Sequence, residues 1–294
     1  MKKRIVTIAL VVALLATCFA GTYAYLTDTY EVKNTMTLGS VAINQTEWER
    51  VVVDGNWVLT GETDKYGYTP EKLQPFTQDK PLNPAVFTDD DGIKYDDRAT
   101  NGNGGEHQQS WGQIGAPGAN QLFDDSVKNV IDKFVFVTNT GKNDAYVRTI
   151  VALEQGSITA ENFQNIIMTN SDYKSSESNY SGHWEREVAA TDVVIGGTEY
   201  YIFVFTYCGP TSNPTGILAP GAASYPSLLQ VYMKPEATNE DVVAIDGNAN
   251  GKYDILVLSQ AVQAAGFADA ATALDTAFGD VTATTAATWL ASIA

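Results

Sequence analysis

Lys133-Phe134-Val135-Phe136-Val137-Thr138, then Asn139-Thr140-Gly141-Lys142-Asn143-Asp144, then the run Ala145 to Leu153, is the stretch that decides the fold. Its two β-branched and aromatic runs flank a cluster of turn formers, which predicts two strands joined as an antiparallel hairpin. The same grammar recurs on both sides. Val193-Val194-Ile195, Gly196-Gly197 and Thr198 to Tyr207 predict a second hairpin, with a two-residue loop suited to positive φ. Val51-Val52-Val53, Asp54-Gly55 and Trp57-Val58-Leu59 predict a third, and Ser227 to Met233 a further strand after the turn Leu218-Ala219-Pro220-Gly221. Many short strands separated by turns indicate a mainly β chain, an antiparallel sandwich of jelly-roll type, rather than alternating βαβ units.

The pattern dissolves between residues 61 and 122. That stretch holds Pro70, Pro75, Pro81 and Pro84, the acidic groups Asp89-Asp90-Asp91 and Asp96-Asp97, and Asn101-Gly102-Asn103-Gly104-Gly105. It reads as a long loop insertion without core strands. Beyond Leu258 the composition turns rich in alanine. Ser259 to Ala265 is expected as a helix stopped by Gly266, Ala268 to Phe278 as a second stopped by Gly279, and Thr284 to Ile293 as a third. The expected organisation is therefore a leader over 1–24, a sandwich over 25–258 and a helical segment over 259–294. No sorting motif or basic tail reads at the C-terminal end.

The N-terminus carries Lys2, Lys3 and Arg4, an apolar run from Ile5 to Ala20, and the small-residue exit Gly21-Thr22-Tyr23-Ala24. That is the pattern export machinery recognises, with cleavage expected between Ala24 and Tyr25. The alternative is an uncleaved anchor, since the uncharged run extended through Tyr25-Leu26 reaches the length of a bilayer span. Cleavage would leave 15 basic against 35 acidic residues, hence a formal charge of −20. Such a surface argues against nucleic acid or anionic lipid as partner. Cys208 would be the single remaining cysteine, so no internal disulfide can form.

After the leader come Ala24-Tyr25-Leu26-Thr27-Asp28-Thr29 and Lys33-Asn34-Thr35-Met36-Thr37-Leu38-Gly39-Ser40-Val41. These stretches resemble the SipW-dependent exported proteins of the camelysin/TasA-like biofilm matrix family of Gram-positive bacteria. Phe123 to Thr149 and Ser259 to Phe267 are similar to the internal hairpin and C-terminal helix of that family. The resemblance implies a jelly-roll-like subunit, secreted to the matrix or cell surface and processed by a SipW-type signal peptidase. It would touch the membrane only transiently, through its leader, and then associate with itself or with matrix partners. Some relatives have been classed as peptidases, so a secreted metallopeptidase and a soluble surface adhesin are the alternatives.

Chemistry is sparse. In Asp246-Gly247-Asn248-Ala249-Asn250-Gly251-Lys252-Tyr253-Asp254, oxygen side chains stand at positions 1, 3, 5 and 9, with glycine at 6. This repeats the front half of a calcium loop and makes Asp246, Asn248, Asn250 and Asp254 the candidate metal ligands. The position-12 glutamate is replaced by Val257, and the competing reading is a tight turn between strands at Val242–Ile245 and Tyr253–Leu258. Asp89 to Asp97 is a weaker calcium candidate. His107 and His183 are far apart and no His-Glu-x-x-His occurs, which disfavours zinc hydrolysis. Glu185 and Glu187 form no more than the chance pair expected of an acidic chain. No catalytic residue is assigned, and the expected function is a non-enzymatic structural or surface protein.

Overall fold

The structure, a computed structural model, describes residues 27–30, 41–53, 56–57, 73–78, 80–87, 127–174, 182–209 and 214–294. The chain is mainly β and antiparallel, with a few short helices. The strands are β1 (Thr27–Tyr30), β2 (Ile43–Arg50), β3 (Val52–Val53), β4 (Asn56–Trp57), β5 (Leu73–Pro75), β6 (Val86–Phe87), β7 (Val127–Lys128), β8 (Val130–Asp132), β9 (Phe134–Asn139) and β10 (Ala145–Glu154). After helix α1 (Ala160–Phe163) come β11 (Ile167–Ser171), β12 (Tyr173–Lys174), β13 (Trp184–Ile195), β14 (Thr198–Tyr207) and β15 (Leu228–Met233). Helix α2 (Asn239–Ile245), β16 (Ile255–Gln263), α3 (Ala270–Phe278) and α4 (Ala283–Leu290) complete the order.

One layer is a six-stranded sheet ordered β1-β16-β10-β14-β13-β12. Facing it are two three-stranded sheets, β5-β2-β9 and β11-β15-β8. Amides of Lys133, Ser224 and Ser227 join those two by bonding to the carbonyls of Leu229, Val137 and Val135. The core between the layers takes Val147, Val151 and Leu153 of β10, Tyr201, Phe203 and Phe205 of β14, and Val135, Val137, Leu228 and Val231 from opposite. The intervening residues Ile150, Ala152, Ile202, Val204 and Leu258 point the other way, where Ala286 and Leu290 of α4 cover them. Both faces of β10 are therefore buried along its whole length. That explains a strand whose sequence is apolar nearly throughout rather than alternating.

Two expected hairpins form. Gly196 and Gly197 adopt φ of 60° and 96° between β13 and β14, and β3 pairs with β4. The hairpin expected around Asn139–Asp144 does not. β9 pairs with β2, whereas β10 lies in the other layer between β14 and β16. Asn139 steers this crossing. Fully buried, it donates from Nδ2 to Asn143 O and Leu218 O, each at 2.8 Å, and accepts Gly141 N at 3.0 Å. Its amide satisfies the backbone where the chain leaves one sheet for the other.

Three further expectations are corrected. Ser259–Ala265 is not a helix: Ile255–Gln263 is strand β16, inside the six-stranded sheet. The boundary between sandwich and helices accordingly falls after Gln263 rather than at 258/259, and the helices begin at Ala270. The 61–122 insertion does hold sheet residues, since β5 pairs with β2 and buries Leu73. Pro75 ends that edge strand, where a missing N–H costs no ladder bond.

Candidate functional site

The proposed calcium loop is built between α2 and β16. Thr238 caps α2 in a capping box with Asp241, and the helix runs to Ile245. Val242–Ile245 is thus a helix end, not the strand expected there. Asp246 turns the chain: its Oδ1 accepts Asn250 N at 3.0 Å and its Oδ2 accepts Gly251 N at 2.8 Å. Asn248 Oδ1 accepts Asn250 N at 3.0 Å, and Asn250 Oδ1 accepts Lys252 N at 2.7 Å. Asn248 Nδ2 donates to Asp254 Oδ2 at 2.9 Å. The four residues read as ligands are therefore brought into one loop, where each bonds loop amides. Among the described residues no group of three or more His, Cys, Asp or Glu side chains is placed to hold a metal ion.

What anchors the loop is Glu154, a residue the motif does not contain. It ends β10 with no exposed surface. Its Oε1 accepts Gly247 N at 2.8 Å and its Oε2 accepts Asp254 N at 2.9 Å, so one carboxylate holds both ends of the loop. Burial pushes its pKa above the ordinary carboxylate range, and the two amides pull it back only partly. The contact is close: a Cβ on Gly247 would lie 2.8 Å from Gly156 Cα. Burial also raises the phenols of Tyr200 and Tyr253, which neighbour Glu154. No local signal singles out Glu154, since β10 carries Arg148 and Thr149 as further polar residues.

The second candidate is the β16 edge. Thr27, Asp28, Thr29 and Tyr30 pair antiparallel with Val262, Ala261, Gln260 and Ser259. The segment just after the expected cleavage point thus forms the outermost strand of the large sheet. Ala24 and Tyr25 themselves lie outside the described residues, as do His107 and Asp89–Asp97. Of the stretch Lys33 to Val41, only Val41 lies among the described residues. Val41 and Ile43 are buried on one side, and β2 lies centrally between β5 and β9.

His183 is buried, with Nδ1 2.7 Å from Asp172 Oδ2 and its ring stacked on Tyr225 at 3.5 Å. Cys208 N donates to His183 O at 2.8 Å, while its Sγ lies 3.9 Å from Gly182 O. Burial pushes that thiol up to about 11, the opposite of what a nucleophile needs. Glu185 pairs with Lys174 at 3.7 Å, and both are exposed. No helix among the described residues is long and apolar enough to cross a membrane. The chain matches no protein-family model, no curated protein and no solved structure.

Proposed function

We propose that this chain is a secreted, non-enzymatic structural protein of the extracellular matrix or cell surface, a fibre subunit that assembles once its leader is removed after Ala24. The observation that carries the reading is the placement of β1. Four residues from the new N-terminal region complete the edge of a large sheet through backbone pairing with β16. Extended segments added to sheet edges gain main-chain hydrogen bonds, and a second copy presents the same edge. While the leader tethers Tyr25 to a membrane, that exchange between copies is hindered. The leader pattern and the acidic composition support the same reading, and the resemblance of the sequence to matrix proteins implies a SipW-type peptidase as processing partner.

The test compares chain starting at Tyr25 with chain starting at Val41, which removes β1 but leaves β2 whole. Electron microscopy should show fibres from the first and none from the second. Equal polymerisation by both, with the shorter chain folded, would remove β1 as connector. Persistent monomer at every concentration would remove the fibre reading. Chelator-sensitive casein cleavage by the pure protein would replace it with a peptidase. If instead deletion of 88–122 abolished surface attachment and spared the fold, the adhesin reading would take its place.

A further inference from the structure

Most buried and half-buried cations among the described residues are matched to carboxylates. Arg50 is paired with Asp132, Lys80 with Glu49, Lys133 with Glu47 and Arg148 with Asp275. Arg186 has no such partner among the described residues. It is half-buried on β13, and its Nη1 donates only two long bonds, to Thr169 Oγ1 at 3.5 Å and Ser171 Oγ at 3.4 Å. The titratable groups acting on it are the phenols of Tyr173 and Tyr201, and loss of water pulls its pKa down. A guanidinium withdrawn from water without a counter-charge is costly, which is why such groups are ordinarily paired.

The surroundings define what would fit. The guanidinium carbon lies 4.2 Å from the Tyr173 ring centroid and 5.5 Å from that of Phe203, so aromatic rings occupy its flanks. Nη1 is taken by the two hydroxyls. What remains is the Nε/Nη2 edge, whose nitrogens donate to no group among the described residues and are not among the atoms sealed from solvent without a partner. That edge presents two parallel N–H groups, the fork that matches a carboxylate. Among the described residues the position is also left partly open. β11 is the edge of its sheet, and β12 covers β13 only at Trp184 and Glu185, one residue short of Arg186.

We propose that Arg186 is the receptor for a carboxylate inserted into the seam between β13 and the edge strand β11. The carboxylate comes either from a small free acid or from a side chain of a second copy, which offers 35 acidic residues. The two sources share one chemistry and separate experimentally. The full chain and its Arg186→Met and Arg186→Lys forms are melted in sodium acetate and in sodium chloride of equal ionic strength. A ligand that binds the folded state raises the wild-type Tm in step with the logarithm of acetate concentration. Arg186→Met abolishes that rise, and Arg186→Lys, which keeps the charge and loses the fork, retains only part of it. Sedimentation then assigns the source. Wild-type association that acetate reverses and Arg186→Met lacks places the carboxylate on a second copy, whereas a monomer with the acetate shift intact places it on a free acid. A wild-type Tm that responds to acetate no differently from chloride overturns the site.

Discussion

Glu154 keeps a carboxylate wholly out of solvent to hold the two ends of one loop. Because its folded pKa is raised above the unfolded value, its stabilising contribution is complete below the ordinary carboxylate range. That contribution is lost as pH rises through the folded pKa. Glu154→Gln cannot titrate, so its stability relative to wild type should improve in urea melts across the pH window that opens upward from the ordinary carboxylate range. A constant difference across that window would refute the assignment. Asp246 already accepts two backbone amides, so Asp246→Ala should cost about 0.5–2 kcal/mol with a chelator present, in the manner of a lost cap. A loss of Tm seen only with calcium added would instead mark the loop as an ion site. Arg50 and Asp132 form a two-pronged pair, Nε to Oδ2 at 2.5 Å and Nη2 to Oδ1 at 2.7 Å, which Gln230 extends at 2.9 Å. Asp132→Ala should cost about 3–5 kcal/mol by removing the carboxylate of a buried ion pair, and Arg50→Met with Asp132→Leu should recover most of it. A double-mutant cycle in denaturant measures both.

At the scale of elements, β16 has the most to explain, because Ser259-Gln260-Ala261-Val262-Gln263 has the composition of a helix. As a strand it sends Val257 and Ala261 into the sandwich core and Leu258 towards α4. Ser259 Oγ donates to Gln45 Oε1 at 2.7 Å and lies 3.0 Å from Thr149 Oγ1, while Gln45 Nε2 donates to Val257 O at 3.3 Å. This polar rung ties β2, β10 and β16 together inside the core. Ser259→Val should therefore cost about 1–3 kcal/mol, since it strands two buried polar partners. An exposed helical serine would change stability by about 0.5 kcal/mol at most, so one equilibrium unfolding curve distinguishes the two structures.

Across the whole molecule, the C-terminal helices act as a cover for the large sheet. Arg148 reaches out from β10 to bond Asp275 Oδ1 and Gly279 O, each at 2.9 Å, and lies 5.3 Å from the Trp289 ring. Leu290 and Ala286 seal Ile150, Ile202 and Leu258. Deleting residues 270–294 would bare that face, and each large side chain there contributes about 1.5–3 kcal/mol by its burial. The shortened chain should bind a hydrophobic dye and aggregate. A monomeric, cooperatively melting product would show that the helices are dispensable.

Residues whose neighbours lie close in the chain were legible in the sequence. The Gly196-Gly197 hairpin, the strand at 228–233, and the helices α3 and α4 each follow from local turn chemistry, capping and periodicity. So did the gathering of Asp246, Asn248, Asn250 and Asp254 in one loop. The tertiary structure alone decided which strands pair. Asn139 sends two adjacent strands into different layers through a bond to Leu218, and Ser259 becomes sheet because Gln45, more than 200 residues away, needs its hydroxyl. Glu154 and Arg186 emerge only there too, for desolvation and the presence or absence of a counter-charge are properties of packed surroundings, which no local pattern encodes.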